Sequence, residues 1–130
     1  MGQPAAKQGD RVVATDTHIV MLPGTPPVAT PLPHPFAGMI SGGLSANVKI
    51  MGKPAATVGS TADNTPPHIP NGGPFQKPPS NKGTIQVGSV TVKINNKPAA
   101  RHGDTALTCN DPADLPIGKV VVPGGTVNIG

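Results

Sequence analysis

The segment Asn96-Lys-Pro-Ala-Ala-Arg-His-Gly-Asp104 recurs, slightly altered, as Gly52-Lys-Pro-Ala-Ala-Thr-Val-Gly-Ser60 and as Gly2-Gln-Pro-Ala-Ala-Lys-Gln-Gly-Asp10. Repetition at a spacing of a few tens of residues marks units that bury their apolar faces against one another. Asn47-Val-Lys-Ile50 precedes the middle copy and Thr91-Val-Lys-Ile94 precedes the last. The first copy has no such lead-in, yet the chain ends in Thr126-Val-Asn-Ile-Gly130, which reads as the missing piece. The expected arrangement is three pseudo-equivalent units around one axis in a single domain, 1–130. The repeats lie around 2–10, 47–60 and 90–104, and the closing strand 126–130 lies beside the N-terminal turn.

Each unit can be read locally. Val48/Ile50, Val92/Ile94 and Val127/Ile129 alternate with polar residues, the period-two signature of a half-buried strand. Met51-Gly52 and Asn95-Asn96 supply residues that tolerate positive φ. The residue before each proline is held extended, so Lys-Pro-Ala-Ala resumes a strand. The units are therefore expected to be short β-hairpins, with the alanine pair placed where three backbones crowd an axis. The stretch Arg11 to Leu22, free of Pro and Gly, is rich in β-branched residues and predicts a strand. Helices are not expected elsewhere, because Pro and Gly interrupt the chain too often. The fold class is all-β, a small pseudo-threefold cone of hairpins. Two long Pro/Gly-rich segments, Pro23 to Ser45 and Gly59 to Gly83, are expected to be loops.

Composition limits what could hold such a chain together. It has 130 residues, 17 Gly and 18 Pro, no Trp or Tyr, and only Phe36 and Phe75 as aromatics. A conventional core is a weak source of stability for it. The net charge of +4 comes from basic residues scattered singly, with no stripe of the kind nucleic acid binding needs, so no nucleic-acid partner is expected. No apolar run approaches the ~20 residues of a membrane span. The N-terminal segment lacks the apolar stretch of a signal peptide, so assembly in the cytoplasm is expected, with any export by another route. A single cysteine, Cys109, excludes an internal disulfide.

The four histidines, His18, His34, His68 and His102, suggest a metal as the missing source of stability. His34 lies between Pro33 and Pro35, and His68 between Pro67 and Ile69-Pro70, so their backbones have little freedom to lose. His102 occupies a slot held by Gln8 and Val58 in the other units and is set aside. His18, His34, His68 and Cys109 would form a saturated three-nitrogen, one-sulfur shell suited to one structural Zn2+. Structural zinc can contribute ~10–16 kcal/mol of apparent folding free energy. The competing reading is a reduced cysteine and four unrelated histidines. Asp16, two residues from His18, is expected to orient that imidazole rather than to act as a base.

Pro98-Ala-Ala-Arg101, with Pro4-Ala-Ala-Lys7 and Pro54-Ala-Ala-Thr57, resembles the PAAR-repeat family along essentially the whole chain. The resemblance implies a cone of β-hairpins with zinc near the apex, bound by three His and one Cys. It also implies a base docked on a trimeric β-helical, VgrG-like spike of a type VI secretion system, an extracellular contractile injection system or a phage tail. The work would then be mechanical: capping and sharpening the spike, transient contact with a target membrane, and carriage of possible effector cargo. Val48, Ile50, Val92, Ile94, Val127 and Ile129 are the expected spike-docking positions. The sequence departs from the motif where Lys7 and Thr57 replace its final arginine, and in the length of its proline-rich segments. The repeat and its closing strand take up the chain from end to end, so no fused effector is expected.

Two other readings are a zinc hydrolase and a free-standing zinc-binding adaptor. A hydrolase needs an open metal position and a base. The chain has no Glu, no HExxH and no G-x-S-x-G, and the expectation is that it is not an enzyme.

Overall fold

A computed structural model describes residues 2–130. Twelve strands and no helix are found among them. No helix is long and apolar enough to cross a membrane. The strands are β1 (Gln3–Pro4), β2 (Arg11–Leu22), β3 (Val28–Gly42), β4 (Lys49–Ile50), β5 (Lys53–Pro54), β6 (Thr61–Asn64), β7 (Lys82–Ile85), β8 (Lys93–Ile94), β9 (Lys97–Pro98), β10 (Thr105–Thr108), β11 (Leu115–Val121) and β12 (Asn128–Ile129). Six of them close an antiparallel barrel in the order β10-β11-β2-β3-β6-β7. The other six form three two-stranded hairpins at its base: β4-β5, β8-β9 and β12-β1. The last pairs the two ends of the chain, Gln3 opposite Ile129 and Pro4 opposite Asn128.

The architecture is an all-β cone with one path walked three times. From each Pro-Ala-Ala turn an outgoing strand (β2, β6 or β10) rises, a returning strand (β3, β7 or β11) descends, and a base hairpin follows. The three units join at the alanines. Ala6 N–H donates to Ala100 O, Ala100 N–H to Ala56 O, and Ala56 N–H to Ala6 O, at 2.9–3.0 Å. This is a closed ring of backbone hydrogen bonds around the axis. A second ring runs from Gln8 to Pro54, Val58 to Pro98, and His102 to Pro4, at 2.8–2.9 Å. All six alanines of the repeats are buried. A larger residue there would force the backbones apart and break both rings.

The residues after the alanines close each turn. The N–H of Lys7, Thr57 and Arg101 is accepted by the side chain of Asp10, Ser60 and Asp104 respectively, at 3.0, 3.0 and 2.7 Å. Gly9, Gly59 and Gly103 supply the positive φ that lets the turn reverse. The fourth motif position changes together with its capping partner. Lys7 pairs with Asp10 and Arg101 with Asp104, whereas Thr57 faces a neutral Ser60. Arg101 is thus a local partner of its own turn, which explains how two copies can lack it.

The isoleucines of the base hairpins turn inward. Ile50, Ile94 and Ile129 pack with Ala5, Ala55 and Ala99 in a small buried cluster, leaving Lys49, Lys93 and Asn128 exposed. Of the expected docking positions, Val48 and Val92 are half-buried against that cluster and Val127 is 40% exposed. The isoleucines therefore belong to the chain's own core. Type I′-like turns join two of the hairpins, with Met51/Gly52 and Asn95/Asn96 at positive φ.

The barrel interior is layered. Val12, Ala62 and Ala106 of the outgoing strands meet Ile40, Ile85 and Val120 of the returning ones. Above them, Gly38, Gly83 and Gly118 make room for two side chains. An added Cβ would lie 2.7 Å from the Phe36 ring at Gly38, 3.3 Å from it at Gly83, and 2.8 Å from Thr108 at Gly118.

The proline-rich segment Pro23 to Ser45 is not a loop, contrary to expectation. Most of it is β3, paired with β2 over twelve successive positions, from Arg11 opposite Met39 to Leu22 opposite Val28. Pro31, Pro33 and Pro35 alternate with inward-facing Leu32, His34 and Phe36. Opposite them, Thr17 and Ile19 direct their backbone groups away from β3: Thr17 O accepts from Asp111 N–H and Ile19 O from Gln76 N–H. In an antiparallel ladder the facing residues then also point outward. The missing proline N–H groups thus fall on the free edge of β3, where proline is tolerated. The second expected loop also contains strand, since β6 and β7 border a connection of 65–81.

Replacing Ala56 by Leu is expected to lower stability by about 1–3 kcal/mol or more, the usual cost of overpacking. Ala29→Leu, at an exposed position of β3, should change it by no more than about 0.5 kcal/mol. Denaturant midpoints of the two variants measure the difference, and equal midpoints would refute the axial packing.

Candidate metal centre

Above the glycine layer the threefold pattern gives way to five polar side chains, all buried: Asp16 and His18 on β2, His34 on β3, His68 in the 65–81 connection, and Cys109 just after β10. Strand alternation sets the first three. Val12, Asp16, His18 and Val20 face inward along β2, as do His34, Phe36 and Ile40 along β3.

One ligand atom from each of Asp16, His18, His68 and Cys109 lies within 4.8 Å of the other three. Cys109 Sγ stands 3.6 Å from His18 Nε2. Two ligands at ordinary Zn–S and Zn–N distances on a tetrahedral ion would be about 3.6 Å apart. His34 stands beside this group and is not one of its four members. Its ring centroid is 5.6 Å from that of His18 and 5.5 Å from that of His68. Its Nδ1 bonds Leu32 O at 2.9 Å, which fixes the proton there. Its Nε2 is buried without a hydrogen-bond partner among the described residues, and so carries a free lone pair. Buried orphan atoms of this kind are rare unless something else satisfies them. The donor set therefore fits a borderline-soft divalent ion.

His102 lies elsewhere. Its Nδ1 accepts from Val122 N–H at 3.0 Å, a structural contact near the repeat turn.

The side chains around the site restrict its rings. Ala37 N–H donates to Asn64 Oδ1 at 2.9 Å, which turns the Asn64 amide nitrogen toward Asn81 Oδ1 and His68 Nδ1. Asn81 Oδ1 also accepts the His68 N–H at 2.8 Å. With Nδ1 accepting, His68 Nε2 carries the hydrogen and donates it to Asp16 Oδ2 at 2.9 Å. Ligation through Nε2 would move that proton to Nδ1 and require the Asn64 amide to find a new partner. Asp16 was expected to orient His18, but it makes its bonds to His68, Thr108, Asn110 and Cys109 instead. The carboxylate nearest His18 is Asp111, whose Oδ2 lies 3.5 Å from Nδ1. Asn110 and Asp111 also accept the N–H groups of Thr17 and Ile19, tying the third unit's loop to the edge of β2. Neither could have been found from the motif copies, because they fall where the three units diverge.

The chain's two aromatics bracket the site. Phe36 forms its floor, 6.1 Å from the His68 ring centroid. Phe75 covers it at 5.3 Å from His34 and 5.8 Å from His18. Phe75 is held there because Met21 N–H donates to Pro74 O and Gln76 N–H to Ile19 O, which continues the sheet beyond β2.

Burial lowers the pKa of His18 below its ordinary value, although Asp111 opposes the shift. Neutral imidazole is the form that ligates metals. Burial, reinforced by Asp16, pushes the Cys109 thiol up to about 11. Without a cation the thiol keeps its proton at neutral pH.

The fold is a closed pseudo-threefold β cone whose apex carries a buried cluster of carboxylate, imidazole and thiol groups that could hold a metal ion. The PAAR motif family model matches residues 31–111, more than half of the chain, and the chain belongs to that family. It is a family of structural spike-tip proteins of contractile injection systems. No curated protein matches the chain.

Titration of the two shifted groups gives the metal-free protein opposite pH arms. Below the unfolded histidine value of 6.5, the unfolded chain binds a proton that folded His18 resists, so stability falls as pH drops. Above the unfolded thiol value of 9.0, the unfolded chain releases a proton that folded Cys109 keeps to about 11, so stability falls as pH rises. Melting curves in chelator should show both contributions. In Cys109→Ala, the decline between about pH 9 and pH 11 should become shallower.

Proposed function

We propose that this chain caps the blunt end of a trimeric β-helical spike and gives it a hard point. One observation carries the reading. The base of the molecule repeats one hairpin three times about an axis closed by backbone hydrogen bonds, so a single chain presents threefold-equivalent contacts to a threefold partner. A β-helical trimer ends in strand edges that attract pairing, and short hairpins can add to such edges through their main chain. The partner would meet the exposed surface of the base hairpins: Val48, Val92, Val127, Lys49 and Lys93, with Met51 at one turn. Ile50, Ile94 and Ile129 would support it from beneath.

At the other end His18, His34, His68 and Cys109 would hold one Zn2+, with His18 and Cys109 already at the separation a shared ion needs. When bound, the ion would supply structural cross-linking of four separate chain segments, with no open position for chemistry. The particle would assemble in the cytoplasm, carry effector cargo where it has any, meet a target membrane at the apex, and leave the cell on contraction.

Purified protein should contain one zinc per chain by elemental analysis. Stripping the metal should lower the melting temperature, and zinc should restore it. A fully stable, metal-free preparation would refute the zinc reading. Mixed with the spike trimer of the same machine, the chain should form a complex of one chain to three spike subunits, read by light scattering. Ala substitution of Val48, Val92 and Val127 together should weaken that complex without lowering zinc content. Absence of any complex would refute the capping role.

A further inference from the structure

We infer that Asp16 is the charge-balancing residue of the metal centre and sets its affinity for a divalent cation; the inference rests on the zinc reading above. Its side chain is fully buried. Oδ1 accepts hydrogen bonds from Thr108 Oγ1 at 2.6 Å and Asn110 Nδ2 at 3.4 Å. Oδ2 accepts from His68 Nε2 at 2.9 Å and lies 3.5 Å from Cys109 Sγ. All four neighbours serve as donors, which suits the acceptor-only role of an ionised carboxylate.

No lysine or arginine among the described residues pairs with it, since the buried Lys7 and the half-buried Arg101 are committed to Asp10 and Asp104. A carboxylate taken out of water without a cation is costly. The cation that the geometry offers is the metal. Three neutral imidazoles and one thiolate leave a divalent ion with one positive charge uncompensated in a site floored by Phe36 and covered by Phe75. One carboxylate cancels it. Ligation would remove both hydrogens now directed at Oδ2: that of His68 Nε2 would move to Nδ1, and that of Cys109 Sγ would be released to solvent. Oδ2 would then exchange two hydrogen bonds for attraction to the ion, while Thr108 and Asn110 keep the carboxylate in place through Oδ1.

The competing role is purely steric and hydrogen-bonded, with the charge irrelevant. Three full-length proteins separate the two roles: wild type, Asp16→Asn and Thr108→Val. Zinc affinity is measured by competition with a chromophoric chelator, and folding by the melting transition of the metal-free form. Asp16→Asn keeps the shape and removes the charge, and should bind zinc about 10–100-fold more weakly. Thr108→Val removes a hydrogen bond and keeps the charge, and should lose less. Equal affinity of Asp16→Asn and wild type, or an equal loss in Thr108→Val, overturns the inference and leaves the zinc reading standing. A wild-type protein that binds no zinc overturns both. Should Asp16→Asn show no melting transition, Asp16→Glu and Asp16→Gln carry the test. The charged variant should bind more tightly, and equal affinities refute the role.

Discussion

Three peptide backbones meet on one axis at Ala6, Ala56 and Ala100, each donating a hydrogen bond to the next. The rest of the architecture follows from that approach. The ring fixes where each outgoing strand starts, because Asp10, Ser60 and Asp104 cap the turns immediately beyond it. It also fixes where each returning strand arrives. Gly9, Gly59 and Gly103 donate their N–H groups to Ile40, Ile85 and Val120, at 3.0, 2.9 and 2.8 Å. A closed sheet removes the sticky edges that short strands would otherwise expose. The units join through backbone hydrogen bonds at the axis and in the barrel wall, where small side chains suffice. This explains how a chain with two phenylalanines as its only aromatics can fold.

Symmetry holds at the base and fails at the apex. Three like hairpins can match a threefold partner only if they stay equivalent. A four-ligand ion cannot be served by three equivalent segments, because three units supply ligands in multiples of three. The chain varies what lies between outgoing and returning strands. The first unit extends both strands and sends in Asp16, His18 and His34. The second inserts the 65–81 connection carrying His68 and Phe75. The third turns back within a few residues at Cys109, Asn110 and Asp111. The asymmetry begins just above the layer of Gly38, Gly83 and Gly118, where Phe36 crosses the interior.

Much of this was legible in the sequence. The Pro-Ala-Ala copies with their Val-x-Ile lead-ins specify the hairpins, and the period-two pattern of Arg11 to Leu22 specifies β2. A second repeat was present but harder to read: Gly38-Met-Ile40, Gly83-Thr-Ile85 and Gly118-Lys-Val120 are the equivalent returning strands. It is short and chemically plain, and its spacing is uneven because the apical insertions differ in length. The segment around Pro31, Pro33 and Pro35 misled for a physical reason. Proline density normally signals loop, but prolines at every second residue place all their missing donors on one edge. His34, at the alternate position, faces inward for the same reason. The placement of Asp16, Asn64, Asn81 and Asp111 could not be read, since it depends on contacts among three different connections.

The apex has the features of a site where buried polar groups demand a partner. Among the described residues, His34 Nε2 and His18 Nδ1 are buried without hydrogen bonds, and Asp16 is buried with no lysine or arginine to pair with. A hydrophobic core has no reason to tolerate such groups, whose desolvation costs kcal/mol each. One divalent ion would satisfy the lone pair on His34 and the charge on Asp16 together. The same ion would join β2, β3, the 65–81 connection and the end of β10, which are otherwise linked at this height mainly by Asn64, Asn81, Asn110 and Asp111. Load applied along the axis of a tip would then pass from the apex into strands that converge on the alanine ring. Such an ion would complement the ring: the ring holds three backbones together where the side chains are smallest, and the ion would hold them together where the connections are longest.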